Sequence, residues 1–335
     1  MPLPQLTEIE LKFLSEFKNG SDIDWFRKKD HHKYIEYSQI NKLNLDKEFK
    51  KLFTSGLLRI ADPAELIADS MTLPELKKAC THYGLKTSGK KIDLAYDLTQ
   101  AEPNYGIFLK KHKNIYFPTD EGYNIINSYL QKQDIEKEMK KNAVYSFLDS
   151  IRRGGGALNG PAVDRDFLIP NGQDVIHVYV TKDDNVFLRF LYYSFPRFLN
   201  GLNPDYVDII RQTLGADLLL GTNSIRKYET FDTNIPGLKL GNAMIVMSSY
   251  CYSQRFLAYY RSEPIYKAIK ITTGNVQSLC PSCRNLLNQI FPINGMIPEI
   301  PNPVCMNRMR PCVLDYYPLL EIDEPKKKGL FGLFK

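Results

Sequence analysis

Hydrophobic positions in the first half of the chain recur with the spacing of amphipathic helices. Leu6, Ile9, Leu11, Phe13, Leu14 and Phe17 make the first stripe, and Gly20-Ser21 ends it. Short helices are expected around Asp24–Lys29 and Tyr34–Ile40, and a further one over Asp46–Thr54, with Phe49, Leu52 and Phe53 on one side. Ser55-Gly56-Leu57-Leu58-Arg59-Ile60 reads as a turn into a short strand. Ile115–Pro118 reads as another strand, after which Thr119 or Asp120 caps a helix reaching Ile151. The middle of that helix, 132–141, is nearly all charged, the pattern of a solvated segment.

Between these strands lies the most informative stretch, Met71–Thr99. Thr72 and Glu75 have the spacing of a capping box. Leu76, Ala79, Cys80 and Tyr83 follow as one apolar stripe, and Gly84 stands where a left-handed residue would end the helix. After the loop Lys86-Thr87-Ser88-Gly89-Lys90-Lys91, Thr87 or Ser88 is expected to cap a second helix carrying Ile92, Leu94, Ala95 and Leu98. Between Glu75 and Asp93 there are five lysines (Lys77, Lys78, Lys86, Lys90 and Lys91) and no acid. Lysines beside a helix N-terminus favour a phosphate group.

The run Thr72, Leu73, Glu75-Leu76-Lys77, Tyr83-Gly84-Leu85, Ser88-Gly89-Lys90-Lys91 and Leu94 resembles the SAP domain, a small helix–extended loop–helix module that binds DNA. That family commonly carries a basic residue late in the second helix, where this chain has Asp97. The resemblance implies DNA contacts at Lys77, Lys78, Lys86, Thr87, Ser88, Gly89, Lys90 and Lys91. Lys110, Lys111 and Lys113 form a second basic cluster, placed where the wing of a winged-helix unit would meet a phosphate backbone. Residues 20–130 together resemble the N-terminal half of SAP-domain proteins of bacterial genomes and mobile elements.

Arg152-Arg153-Gly154-Gly155-Gly156 reads as a linker and not as a phosphate-binding loop, since it lacks the strand and the glycine frame such a loop needs. Beyond it the pattern mixes strand and helix. Asp174–Thr181 is expected to be a strand, Asp183-Asp184-Asn185 a turn and Val186–Tyr193 the returning strand of a hairpin, with His177 in the core or half buried. Pro204–Leu220 and Leu238–Arg261 read as helices and Tyr266–Thr273 as a strand.

Composition sharpens this picture at two places. The net charge of +6 is spread evenly, so local lysine clusters rather than global charge argue for nucleic acid. Cys280, Cys283, Cys305 and Cys312 give the spacing C-x2-C-x21-C-x6-C, which suits a tetrahedral zinc ion with no position left for water, hence a structural site. The text around them loosely resembles the C-terminal knuckle of phage head-morphogenesis minor capsid proteins, although this chain has no histidine there. No cleavable leader is evident after Met1-Pro2-Leu3-Pro4, and no apolar window is long enough to span a bilayer, which together predict a cytoplasmic protein.

The fold class expected is α+β and multidomain: a mainly helical N-terminal half and a mixed α/β C-terminal domain closed by a four-cysteine zinc knuckle. The expected partition is a helical or winged-helix-like segment 1–65, a SAP-like module 66–102, a strand and connecting helix 103–153, an α+β domain 157–279, the knuckle 280–322 and a basic, hydrophobic tail 323–335. Leu330–Phe334 in that tail suits docking onto a protein partner. No catalytic constellation emerges: the five histidines lack metal-pair spacing, and Asp164 and Asp166 read as solvated carboxylates rather than metal ligands. The expected function is DNA binding through the SAP-like run, with a zinc-stapled C-terminal scaffold. The alternatives are a nuclease-like enzyme tethered to DNA by that module, or a phage structural protein.

Overall fold

A computed structural model describes residues 5–104, 114–307 and 312–320, and the chain divides into two units, Met1–Ile135 and Glu136–Lys335. Both are rich in α-helix, and all strand pairing is antiparallel.

The first unit opens with α1 (Glu8–Ser15), β1 (Ser21–Asp22), α2 (Ile23–Arg27), α3 (His32–Tyr34, continuing into a π-helical turn over Ile35–Ile40) and α4 (Leu45–Thr54). Their apolar stripes meet in a core of Phe13, Leu14, Phe17, Phe26, Tyr37 and Leu52. Phe13 stands edge-on to Phe17, Phe26 and Tyr37 at 5.3–5.5 Å, the favoured arrangement for aromatic quadrupoles. β2 (Leu58–Ile60) and β3 (Ile115–Pro118) complete a three-stranded sheet of order β1-β3-β2, with Ile60 opposite Tyr116. Between β2 and β3 the chain builds α5 (Pro63–Ser70), α6 (Leu73–His82) and α7 (Lys91–Ala101), which enclose a small core of their own from Ala64, Ile67, Leu76, Cys80, Leu94, Ala95 and Leu98.

After β3, Thr119 caps α8 (Asp120–Arg152): its Oγ1 accepts from the Gly122 N–H at 3.2 Å and donates to the Gly56 carbonyl at 2.7 Å. Gly122 is required by close approach, because a Cβ there would run into the Leu57 carbonyl oxygen.

In the second unit, β4 (Arg165–Asn171) and β5 (Asp174–Val180) form a hairpin, followed by α9 (Lys182–Tyr193), α10 (Pro204–Leu220) and α11 (Leu240–Ser262). The segment Val186–Tyr193, expected as a strand, is helical. Thr181 and Asp184 form a capping box, and the buried Phe187, Leu188, Leu191 and Tyr192 have helical spacing. The true partner of β5 is upstream, with Leu168 opposite His177. His177 is not a core residue: Val178 and Val180 point inward, and the alternation turns His177 out to solvent, where its Nδ1 lies 2.8 Å from Asp166 Oδ2.

A second sheet follows from β6 (Ala268–Thr272), β7 (Ile290–Pro292) and β8 (Asp315–Leu319), in the order β7-β6-β8. The central strand lies within 157–279 and its two partners within 280–322, so these segments share one sheet. They also share one apolar core, from Val144 and Phe147 through Met244 and Cys251 to Ile271 and Leu314.

Candidate functional site

The loop between α6 and α7 is shaped by backbone rules on both sides. Thr72 donates to Glu75 Oε2 through both its N–H and its hydroxyl, each at 2.7 Å, and these bonds hold the Glu75 carboxyl below the usual carboxylate range. Gly84 takes φ +67°, and the Leu85 N–H closes the helix end onto the Cys80 carbonyl at 2.8 Å. The chain then runs without regular structure to Gly89 at φ +137°, and α7 starts at Lys91. Thr87 and Ser88, expected as caps, lie too early: the glycine turn moves the cap position to Lys90, whose side chain makes no capping bond. The first N–H groups of α7 are therefore left without a side-chain cap. Lys77, Lys78, Lys86 and Lys90 are exposed and Lys91 half buried, and among the described residues none of the five forms an ion pair.

The four cysteines occupy the two loops that join the strands of the second sheet. Cys280 sits at the N-cap of α12 (Pro281–Arg284) and Cys283 within it, between β6 and β7; Cys305 and Cys312 lie between β7 and β8. All four are buried, and their sulfurs lie within 4.8 Å of one another. Cys280 and Cys305 are 3.8 Å apart, Sγ to Sγ. The Cys280 N–H donates to Cys312 Sγ at 3.2 Å, the Cys312 N–H to Cys305 Sγ at 3.4 Å, and the Asn307 and Asn302 amides to Cys312 and Cys283 at 3.4 and 3.6 Å. Donors aimed at sulfur stabilise thiolates and orient them as ligands. Burial pushes the Cys280 thiol up, but the Ser282 hydroxyl and the Met306 and Cys283 N–H groups outweigh it and hold it at about 5. Burial raises Cys283 and Cys305. A soft, buried set of four sulfurs, already carrying its own donors, fits a metal ion.

Residues 68–95 match the SAP domain. The match starts in the last turn of α5 and takes in all of α6, the lysine loop and the first turn of α7, and it points to nucleic-acid binding. No curated protein and no solved structure matches the chain. Of the expected contact residues, Lys77, Lys78, Lys86, Thr87, Ser88, Gly89, Lys90 and Lys91 all fall inside the SAP segment. Lys110, Lys111 and Lys113 lie outside the described residues, as does the tail segment Leu330–Phe334.

Helix α5 completes the SAP core without having been foreseen. Its signal is Asp62-Pro63-Ala64-Glu65, a capping box with proline in the first turn. Glu65 also forks onto Arg59 of β2, with both oxygens at 2.7 Å from the guanidinium. Asp164 and Asp166 are already engaged: Asp164 accepts from the Lys182 N–H at 2.5 Å and from the Tyr179 hydroxyl at 2.9 Å, and Asp166 meets His177. No helix among the described residues is long and apolar enough to cross a membrane.

Proposed function

We propose that the chain is a DNA-binding protein whose SAP segment grips the phosphate backbone. The observation that carries this reading is the N-terminus of α7, where Lys90 makes no capping bond and which stands among lysines that form no ion pair among the described residues. Free N–H groups and the positive end of the helix dipole attract a phosphate oxygen. Ser88, Gly89, Lys90 and Lys91 line that end, Lys86 and Thr87 the loop before it, and Lys77 and Lys78 add charge from α6. The helices α1–α4 leading to the β1-β3-β2 sheet fit a small winged-helix unit, from which the SAP segment projects between two strands.

The four cysteines are assigned to a structural Zn²⁺. Zinc–sulfur bonds of about 2.3 Å in a tetrahedron give sulfur–sulfur edges of about 3.8 Å, the separation of Cys280 and Cys305. Four protein sulfurs complete the shell, so the ion would pin the two loops of the second sheet and offer no open position for a substrate.

The test is duplex-DNA affinity across a salt series, for the wild type and for Lys90→Ala/Lys91→Ala. Affinity should fall with salt, and two lost phosphate contacts should flatten the log–log slope by about 1.8. A wild type that does not bind, or a variant with an unchanged slope, would remove the SAP segment as the DNA grip.

A further inference from the structure

The chain's single tryptophan is exposed. Trp25 lies on α2 with 55% of its surface in solvent, and its indole ring is near-parallel to the His31 imidazole, with centroids 6.5 Å apart and planes at 30°. His31 is held in place, because its Nδ1 accepts a hydrogen bond from the Lys33 N–H at 3.3 Å. His32 lies against it at 4.4 Å. The charges around the indole are sorted. Arg27 bridges Asp24 and Asp46 at 2.9 Å each, which leaves one carboxylate charge uncompensated there, and Lys33 is taken up by Glu16 and Glu36. Lys28 and Lys29 are exposed and form no ion pair among the described residues, although Asp30 follows them in the chain and Asp24 lies within the electrostatic reach of Lys28.

We propose that Trp25, backed by His31 and flanked by Lys28 and Lys29, is a stacking platform for an unpaired base of single-stranded nucleic acid. An open indole face accepts any base by stacking, and adjacent ammonium groups meet the phosphates on either side of it. A duplex keeps its base faces covered by their neighbours and cannot use such a surface. This site is separate from the SAP loop, so the protein would hold duplex by one surface and an unpaired strand by the other.

Because the tryptophan is unique, its emission is a built-in probe. Full-length protein is titrated with short oligothymidylate, then with its RNA counterpart and with duplex of equal length. Indole emission should be quenched by the single strands and not by the duplex, and Lys90→Ala/Lys91→Ala should leave the quench intact. With a labelled oligothymidylate and anisotropy, Trp25→Ala should bind about five-fold more weakly or worse, and Trp25→Phe should recover much of the loss. Lys28→Ala/Lys29→Ala should flatten the salt slope by about 1.4, the value for two contacts to a single strand. Emission that ignores single strands, or an equal quench by duplex, overturns the proposal. So does Trp25→Ala binding as well as wild type, in a variant whose circular dichroism matches wild type. Failure of the SAP reading appears separately, as unchanged duplex binding in Lys90→Ala/Lys91→Ala.

Discussion

Removing a ligand from the cysteine cage is the sharpest test of what holds the second unit together. Cys312→Ser takes away one of four converging sulfurs, the one that receives the Cys280 N–H and the Asn307 amide. It lies on the segment that leads into β8, and the four cysteines belong to the main core of the unit. If the native fold binds metal and the unfolded chain does not, metal at a thousand times its Kd stabilises the fold by about 4 kcal/mol. In a unit the size of Glu136–Lys335, each kcal/mol moves Tm by about 2–4 °C, so the variant should melt about 8–16 °C lower. Calorimetry of wild type and variant, each before and after chelation, reads this directly. Both perturbations remove the same ion, so chelation should lower wild type to the level of the variant and leave the variant unmoved. Chelated wild type and Cys312→Ser melting together with untreated wild type would refute the cage as a metal site.

Two predictions concern the first unit. Gly122→Ala should destabilise it by about 1–3 kcal/mol or more, read from urea midpoints, because the added methyl meets the backbone carbonyl of Leu57 and no side chain can move aside; an unchanged midpoint would refute that packing. Lys51 lies 2.5 Å from Glu10 and 3.7 Å from Glu48, and both carboxylates are buried. Burial pushes Glu10 up, but Lys51 and the Thr7 N–H pull it down to about 2, whereas burial and the neighbouring Glu10 raise Glu48. Glu10 thus contributes stability above its unfolded pKa that is lost as pH falls toward 2. In Lys51→Met the pair loses the one cation that bonds it and keeps only the more distant pull of Lys47 on Glu48, both folded-state pKa values rise, and the folded state binds more protons than the unfolded chain. Stability of that variant relative to wild type should therefore increase from pH 7 to pH 5, and a pH-independent difference would be evidence against the coupling.

Local chemistry made the SAP segment legible: Thr72, Glu75 and Gly84 each act within a few residues of where they stand, and the lysine loop needs no distant partner. The four cysteines could be read as one group because thiolate spacing carries a metal-site signature, although only folding shows that they converge from two loops of a single sheet. Val186–Tyr193 reads as a strand because large apolar residues on both sides of Arg189 satisfy strand and buried helix alike. The box at Thr181 and Asp184 decides the matter, and Asn171-Gly172 marked the real hairpin one strand earlier. Trp25 could be noticed in sequence, but its exposure could not, since aromatic residues are more often core than platform.

The way the SAP helices join the sheet bears on how such a protein can change over time. The chain departs after Ile60 and returns at Ile115, and the Ala61 N–H bonds to the Ile115 carbonyl at 3.0 Å, so entry and exit are neighbours. The three helices enclose a core of their own, and α5 also packs on the sheet, where Leu66 meets Ala61, Ile115 and Phe117. A segment with adjoining ends and a core of its own is close to a cassette: α6 and α7 can be lengthened or exchanged, while α5 stays to cover the sheet through Leu66 and Glu65. Its host strands pair across a long sequence gap, which makes their closure a slow, non-local step that a shorter insert would hasten.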